Sequence, residues 1–172
     1  NECVENRELI KNENLPFMGF VELKFLNGIN CRLARISFSG ELAFEVYIPS
    51  NFANSVMDLI WKKANKYDGC LYGLECLGAL RIEKGHVTGA ELDGRITIED
   101  AGLGKMASTK KSYIGSSMKN RGVLGNKDRQ ILVGIFPKNK KQTFDAGTII
   151  CKKDEVYGDG IGRITSVTYS PE

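Results

Sequence analysis

The chain has 172 residues, of which 42% are hydrophobic and 26% charged, and its formal net charge is +3. This composition excludes a largely disordered chain, because the hydrophobic content is ordinary and the net charge is small. No apolar run approaches the roughly 18 residues that a membrane-spanning helix needs, so we expect no membrane contact and a cytoplasmic location.

The first predicted elements are three β-strands. Residues 20–26 and 31–38 flank an Asn-Gly dipeptide, which is typical of a tight hairpin turn. After a Ser-Gly break, residues 42–48 form a third strand whose even-numbered side chains are apolar and share one face. The same two-residue period places Glu45 on the opposite face.

Two helices are predicted after the strands. The first begins at Ser50 or Asn51, whose side chains can accept a first-turn N–H, and ends at Gly69. The second covers residues 73–84, and its Gly78 suits close packing against a sheet. The side chains expected to face inward on this second helix are Leu74, Leu77 and Leu80. Strands followed by helices indicate an α+β sandwich.

Short strands without helices are predicted in the last third of the chain. They cover residues 131–136, 146–150 and 161–169, a spacing that favours a small β-barrel. Before them, residues 101–130 carry seven Lys and Arg side chains and one Asp. This basic stretch is either a solvated connector or a surface that grips a polyanion.

The cysteines and the histidine argue against a metal centre and against hydrolase chemistry. Five cysteines are scattered without a close-spaced pair, and His86 is the single histidine. Structural zinc sites normally contain such a pair, so we expect no metal site and reduced thiols. No GxSxG motif is present to support a Ser-His-Asp triad.

Three segments carry a resemblance to a known family. Residues 35–46 read RISFSGELAFEV, residues 73–85 read GLECLGALRIEKG and residues 162–171 read GRITSVTYSP. In this order they resemble the motifs R-x-G-Y-T-G-E-x-x-F-E-I, G-L-x-x-R-D-x-L-R-L-E-x-G and G-x-I-T-S-x-x-x-S-P of the aminomethyltransferase (glycine-cleavage T-protein) superfamily. Within it, residues 80–94 and 100–115 are most similar to the C-terminal region of α subunits of heterotetrameric sarcosine oxidases.

The resemblance implies an α+β fold in two parts. Residues 1–122 would be the C-terminal part of a folate-binding α/β sandwich domain, and residues 123–172 a truncated C-terminal antiparallel β-barrel. The chain would then be a fragment of an enzyme that oxidatively demethylates sarcosine to glycine and passes the one-carbon unit to tetrahydrofolate. The family's catalytic aspartate would lie upstream, so no catalytic residue is assigned here and the fragment alone is expected to be inactive.

The resemblance also implies cofactors and partners. The ligand of this region would be tetrahydrofolate, whereas FAD, FMN, NAD and zinc would be held elsewhere in the complex. The partners would be the other sarcosine oxidase subunits and folate, with no nucleic acid and no membrane.

Two residues are candidates for folate binding by resemblance. Glu45 matches the family's pterin-binding glutamate, whose carboxylate can accept hydrogen bonds from a ring N–H and an exocyclic amine together. On pattern alone, an exposed carboxylate on the wet face of a sheet is the favoured interpretation of Glu45, and the resemblance reverses it. Phe38 matches a tyrosine beside the folate ring, where it either stacks or belongs to the core. Leu77 replaces a folate-contacting arginine of the transferases, which puts ordinary aminomethyltransferase activity in doubt.

Two other functions stay open at this point. One is a stand-alone aminomethyltransferase of glycine cleavage. The other is a non-catalytic folate- or RNA-binding module, in which the basic stretch 105–129 would contact RNA.

Overall fold

The computed structural model describes residues 2–139, 141–154 and 158–170. The chain divides into two compact units, Asn1–Lys84 and Gly85–Glu172. The division into family domains at residues 122 and 123 stays a prediction. The last residue of the third sequence motif, Pro171, lies outside the described residues.

The first unit contains a three-stranded antiparallel sheet. Its strands are β1 (Phe20–Lys24), β2 (Asn30–Ala34) and β3 (Glu45–Tyr47), in the order β1-β2-β3. The hairpin between β1 and β2 turns at Gly28, whose φ of +78° a glycine adopts without strain, and the predicted hairpin is confirmed. The third strand is shorter than predicted, with three residues instead of seven.

The core of the first unit lies between the inner face of this sheet, helix α1 (Ala53–Ala64) and the N-terminal segment. Its buried side chains are Val4, Leu15, Leu23, Phe25, Cys31, Leu33 and Val56. Arg35, the first residue of the strand motif, supports this core. Its Nη1 donates to the carbonyl of Leu15 at 3.0 Å, and its backbone N–H donates to the carbonyl of Gly19 at 2.9 Å.

Helix α1 confirms the first predicted helix, but its ends differ from the prediction. Ser50 and Asn51 lie within a 3₁₀ turn, Ser50–Phe52, that precedes the helix, so neither side chain caps it. At the other end the left-handed residue is Asp68, with φ of +53°, and a second 3₁₀ turn separates it from α1. The glycine after it donates its N–H to the carbonyl of Ala64 at 3.1 Å.

Helix α2 (Leu74–Lys84) confirms the predicted bounds, whereas the expected packing was wrong. None of its residues is buried, and Leu74 is 85% exposed. Around Gly78 there is open space where close packing against a sheet was predicted. The period of the sequence determines which side chains share a face, but no neighbouring element of this unit covers that face.

The end of α2 meets the loop between β2 and β3 at Gly40. This glycine has φ of +93°, and a Cβ built on it would lie 2.4 Å from the Cδ atom of Lys84. The glycine of the strand motif is therefore favoured by its backbone conformation, whereas the exposed Lys84 side chain could move aside for a Cβ atom.

The second unit has little regular structure. Strands β4 (Ile149–Ile150) and β5 (Gly162–Arg163) pair antiparallel, and the remaining elements are short 3₁₀ turns. The described residues of this unit contain no closed barrel, so the barrel prediction is not confirmed. Residues 131–136, predicted as a buried strand, join no sheet there; Leu132 instead donates its N–H to the carbonyl of Asp100 at 2.8 Å.

Two acidic turns stabilise the second unit in place of a sheet. Each has a threonine three residues before a buried carboxylate, so that the carboxylate accepts the threonine's backbone N–H. Glu91, 4% exposed, accepts from the N–H and hydroxyl of Thr88 at 2.8 and 3.1 Å and from the hydroxyl of Ser166 at 2.5 Å. The donor from Ser166 ties the first turn to a residue 75 positions away.

Asp100, 5% exposed, is the carboxylate of the second turn. It accepts from the N–H of Thr97 at 2.7 Å and from the guanidinium of Arg129 at 2.6 and 2.9 Å. Hydrogen bonding to Arg129 holds the pKa of the Asp100 carboxyl below its ordinary value, against the opposing effect of burial. Asp93, bonded to Arg95 and Arg163, likewise has its pKa lowered by these two guanidinium groups.

No helix within the described ranges is both long enough and apolar enough to cross a bilayer.

We expect Gly40→Ala to lower the free energy of unfolding by about 1–2 kcal/mol, because an L-residue is strained at a φ of +93°. The matched control is Gly78→Ala, which adds a methyl group in the open space beside α2 and should raise stability by about 0.5–1 kcal/mol. Urea unfolding followed by fluorescence of Trp61, the single tryptophan, measures both variants. Equal effects of the two substitutions would contradict the assigned backbone strain.

We expect Arg129→Met to destabilise the protein by about 3 kcal/mol at pH 7, because it leaves the buried Asp100 carboxylate without its guanidinium partner. Since the folded-state pKa of Asp100 is lowered, the stabilisation by this pair is present above the unfolded pKa of about 3.9. It is lost as the pH falls through the folded-state pKa. Scanning calorimetry between pH 7 and pH 2 should therefore show that the unfolding temperature falls less with acidification in the variant than in the parent. Arg95→Met, at an exposed pair, is the control and should cost under about 1 kcal/mol.

Candidate functional site

The outer face of the three-stranded sheet gathers the polar and aromatic side chains of the first unit. Residues directly opposite one another on neighbouring strands lie on the same face. The register pairs Val21 with Leu33 and Leu33 with Val46, and this row belongs to the inner face. The residues in between form what we call the outer sheet face, in two rows: Phe20, Ala34 and Glu45, and Glu22, Arg32 and Tyr47.

Glu45 lies at one end of β3, on the outer sheet face. Its backbone pairs with Ala34, and its side chain is exposed. The apolar layer predicted on the other face of β3 was wrong in its burial, because Leu42, Phe44 and Val46 are 69%, 40% and 36% exposed. The hydroxyl of Tyr47 donates a hydrogen bond to its Oε2 atom. This bond raises the pKa of the Tyr47 hydroxyl above its ordinary value, because loss of the proton would place two negative charges side by side.

The remaining charges of the outer sheet face neutralise each other. The Arg32 guanidinium lies 2.8 Å from a carboxylate oxygen of Glu22 and 5.3 Å from the centre of the Phe20 ring. Through this ion pair and this cation–π contact, the Arg32 side chain interacts with residues of β1. Glu45 is therefore the carboxylate of this face whose partner in the described residues is a neutral hydroxyl.

Phe38 lies in the loop that joins β2 to β3. The loop is tightened by the N–H of Gly40, which donates to the hydroxyl oxygen of Ser37 at 2.8 Å. Because Ala34 and Glu45 are paired at the two ends of this loop, Phe38 belongs to the same end of the sheet as Glu45. Phe38 is 37% exposed, and its stacking role stays a prediction.

Sequence reasoning missed three residues of this face. Tyr47, Arg32 and Phe20 were not singled out, although Tyr47 lies two residues after Glu45 and therefore on the same side of a strand. The two-residue period did place Tyr47 on the face of Glu45, but no role was assigned to it. The ion pair of Arg32 depends on the register between β1 and β2, for which the hairpin turn gave the only local indication.

A concave surface lies in the second unit and differs in character from the outer sheet face. It has a volume of about 380 Å³ and a mainly apolar lining that includes Leu92, Ile96, Ile98 and Leu103. Its lining offers no carboxylate for a ligand rich in N–H donors. Among the described residues, no three His, Cys, Asp or Glu side chains are grouped so that they could hold a metal ion.

The arrangement of the outer sheet face is suited to binding. It presents an exposed carboxylate acceptor, a hydroxyl that orients it and aromatic rings nearby. An acceptor of this kind fits a planar ligand whose edge carries two adjacent N–H donors.

Comparisons with known proteins match this chain to one family. The model of the GCVT N-terminal domain family matches residues 2–111. The sarcosine oxidase subunit alpha of Rhizobium meliloti (strain 1021) is 38% identical over 95% of this chain and 17% of the relative. The subunit of the same name from Corynebacterium sp. (strain U-96) is 32% identical over 94% of this chain and 17% of the relative.

Aminomethyltransferases match as well. The enzyme of Corynebacterium jeikeium (strain K411) is 31% identical over 81% of this chain and 36% of the relative. The chain thus spans about one sixth of the length of the sarcosine oxidase subunits that it matches. Since the family model covers well over half of the chain and includes both its strand motif and its helix motif, the chain belongs to the GCVT N-terminal domain family.

Proposed function

We propose that this chain is the folate-binding part of a sarcosine oxidase α subunit. The whole enzyme would oxidatively demethylate sarcosine to glycine and pass the one-carbon unit to tetrahydrofolate. The observation that carries the proposal is the position of Glu45: an exposed carboxylate on the outer sheet face, at the motif position of the pterin-binding glutamate. Identity of 38% to a sarcosine oxidase subunit alpha over 95% of the chain supports it.

The residues present fit tetrahydrofolate. The edge of a pterin carries a ring N–H and an exocyclic amine, and the two oxygens of the Glu45 carboxylate can accept one hydrogen bond from each. Strand β3 is at the end of the sheet order, so Glu45 can be approached from the open edge. Phe38, in the loop at the same end of the sheet, would stack on the pterin ring. Tetrahydrofolate, when bound, supplies the nitrogen atoms that accept the one-carbon unit.

The sarcosine oxidase function is favoured over a stand-alone aminomethyltransferase by Leu77. This half-buried residue of α2 occupies the position of the arginine that contacts folate in the transferases. Leucine cannot provide the planar fork of donors that a guanidinium offers to a carboxylate. The chain is 38% identical to the sarcosine oxidase subunit alpha of Rhizobium meliloti and 31% identical to the aminomethyltransferase of Corynebacterium jeikeium.

An RNA-binding module receives less support from the basic stretch 101–130. Two of its seven cations form salt bridges within the chain: the Lys119 ammonium lies 2.6 Å from a carboxylate oxygen of Glu99, and the Arg129 guanidinium lies 2.6 Å from one of Asp100. Cations paired in this way release fewer counterions when a polyanion binds, which weakens the electrostatic contribution to its affinity.

The other sarcosine oxidase subunits are the proposed partners. The described residues include large apolar side chains that are almost fully exposed, among them Leu74 on α2 and Phe136 in the second unit. Exposed apolar surface of this kind is typical of contacts with other subunits.

We expect the isolated 172-residue chain not to oxidise sarcosine, because the proposal assigns the oxidation to a flavin in a partner subunit. Oxygen consumption or hydrogen peroxide release with sarcosine measures this. Turnover by the purified chain, free of other subunits, would contradict the assignment of the oxidation to a partner.

In the assembled enzyme we expect Glu45→Gln to weaken tetrahydrofolate binding about ten- to hundredfold. The amide oxygen carries less charge than a carboxylate oxygen, and the amide NH₂ faces one of the pterin donors. Sarcosine oxidation should continue at the parent rate, while the product shifts from methylenetetrahydrofolate towards formaldehyde at limiting folate. Isothermal titration and product analysis measure the two effects.

The control for Glu45→Gln is Glu8→Gln, which makes the same charge change at an exposed carboxylate paired with Lys11, away from the outer sheet face. It should leave affinity and product ratio unchanged. If Glu45→Gln binds tetrahydrofolate as tightly as the parent, Glu45 is an exposed surface carboxylate and the site lies elsewhere.

A further inference from the structure

Glu45 and Tyr47 form a pair within one short strand. They lie two residues apart on β3, both on the outer sheet face, and the Tyr47 hydroxyl donates to Oε2 of Glu45. Both side chains are exposed, so no packed layer determines where the carboxylate points. The hydrogen bond from Tyr47 is the contact in the described residues that orients it.

The neighbouring side chains on the sheet cannot replace this donor. Ala34, directly opposite Glu45 on β2, has only a methyl group. Arg32, directly opposite Tyr47, is engaged with Glu22 at 2.8 Å and with the ring of Phe20 at 5.3 Å. The sheet thus supplies Glu45 with one donor, and that donor is Tyr47.

We propose that Tyr47 is a positioning residue for tetrahydrofolate binding, because its hydroxyl fixes the Glu45 carboxylate in the orientation that accepts the pterin edge. This inference rests on the proposed function and adds to it a residue that acts through Glu45. A carboxylate oxygen has two lone pairs, so Oε2 can keep the bond from Tyr47 while it accepts a ligand donor. Oε1 then accepts the second ligand donor.

The physical advantage of the pair is preorganisation. A free glutamate side chain loses rotamer entropy when a ligand immobilises it. In this protein Tyr47 restricts the carboxylate before the ligand arrives, so less entropy is lost on binding. The hydrogen bond to the Glu45 carboxylate also raises the pKa of the Tyr47 hydroxyl. The hydroxyl therefore keeps its proton, and can donate it, at neutral and mildly alkaline pH.

The test is a double-mutant cycle in the assembled enzyme, with tetrahydrofolate itself as the titrated ligand. Tyr47→Phe keeps the ring and removes the donor, and should weaken binding about three- to tenfold. In the Glu45→Gln background the same change should alter affinity less than about 1.5-fold, because Tyr47 then has no carboxylate to position. A residue that merely stabilised the strand would weaken binding equally in both backgrounds.

Tyr67→Phe is the matched control. The hydroxyl of Tyr67 donates to a carboxylate oxygen of Glu2 at 2.5 Å, so the first unit contains a second tyrosine–glutamate bond outside the outer sheet face. This control should leave the affinity for tetrahydrofolate unchanged. Thermal unfolding of all variants, measured alongside, separates lost binding from lost structure.

The outcomes distinguish the inference from the function on which it rests. Loss of affinity in Glu45→Gln but not in Tyr47→Phe would overturn the role of Tyr47 and leave the proposed function standing. Additive losses in the double variant would likewise overturn positioning, since Tyr47 would then act independently of Glu45. A parent enzyme that binds no tetrahydrofolate would overturn both proposals. Non-additive loss, with Tyr67→Phe unaffected, supports the inference.

Discussion

The alternation of side chains across the three-stranded sheet is the constraint on which the proposed site depends. Val21, Leu33 and Val46 are aligned on the inner face, and for that reason Glu45 and Tyr47 are aligned on the outer face. A slip of β3 by one residue would turn Val46 outward and direct both polar side chains towards the core. Because all three residues of β3 are exposed, the side of the sheet to which Glu45 belongs is determined by the backbone pairing of β3 with β2. The register of the three strands thus places the core residues on one face of the sheet and the proposed ligand-binding residues on the other.

Short sequence patterns predicted those elements whose structure depends only on residues close together in the chain. The Asn-Gly turn predicted the hairpin, and the helix motif predicted both ends of α2. The two-residue period predicted the orientation of Glu45. In each case the pattern repeats within a few residues and needs no information from distant parts of the chain.

Where the structure depends on distant neighbours, the same reasoning was insufficient. The period of α2 shows that its leucines can share a face, but it cannot show whether anything covers them, and Leu74 is almost fully exposed. In the described part of the second unit the predicted barrel strands are reduced to β4 and β5, and two turns earlier in the unit have buried carboxylates that reach distant partners. Glu91 meets Ser166 and Asp100 meets Arg129, across 75 and 29 residues. The threonine three positions before each acid was visible in the sequence, whereas the distant donor was not.

The candidate site shows the same division. The resemblance assigned Glu45 and Phe38 one residue at a time, because a motif compares positions and not pairs of side chains. Tyr47 became a candidate only when its hydroxyl was found on the Glu45 carboxylate. The network of Arg32 with Glu22 and Phe20 similarly required the register of β1 against β2.

The strand motif combines residues that bind with residues that hold the binding residues in place. Arg35 anchors the end of β2 to the carbonyl of Leu15, whose side chain is buried in the core. Gly40 allows the loop to turn at positive φ with the side chain of Lys84 against it. These two residues constrain the loop that separates Ala34 from Glu45, and an insertion or deletion there would act on the register itself. Motif residues that do not contact a ligand therefore help to orient Glu45, the carboxylate that we propose binds the ligand. This gives a physical reason why the motif extends well beyond its binding residue.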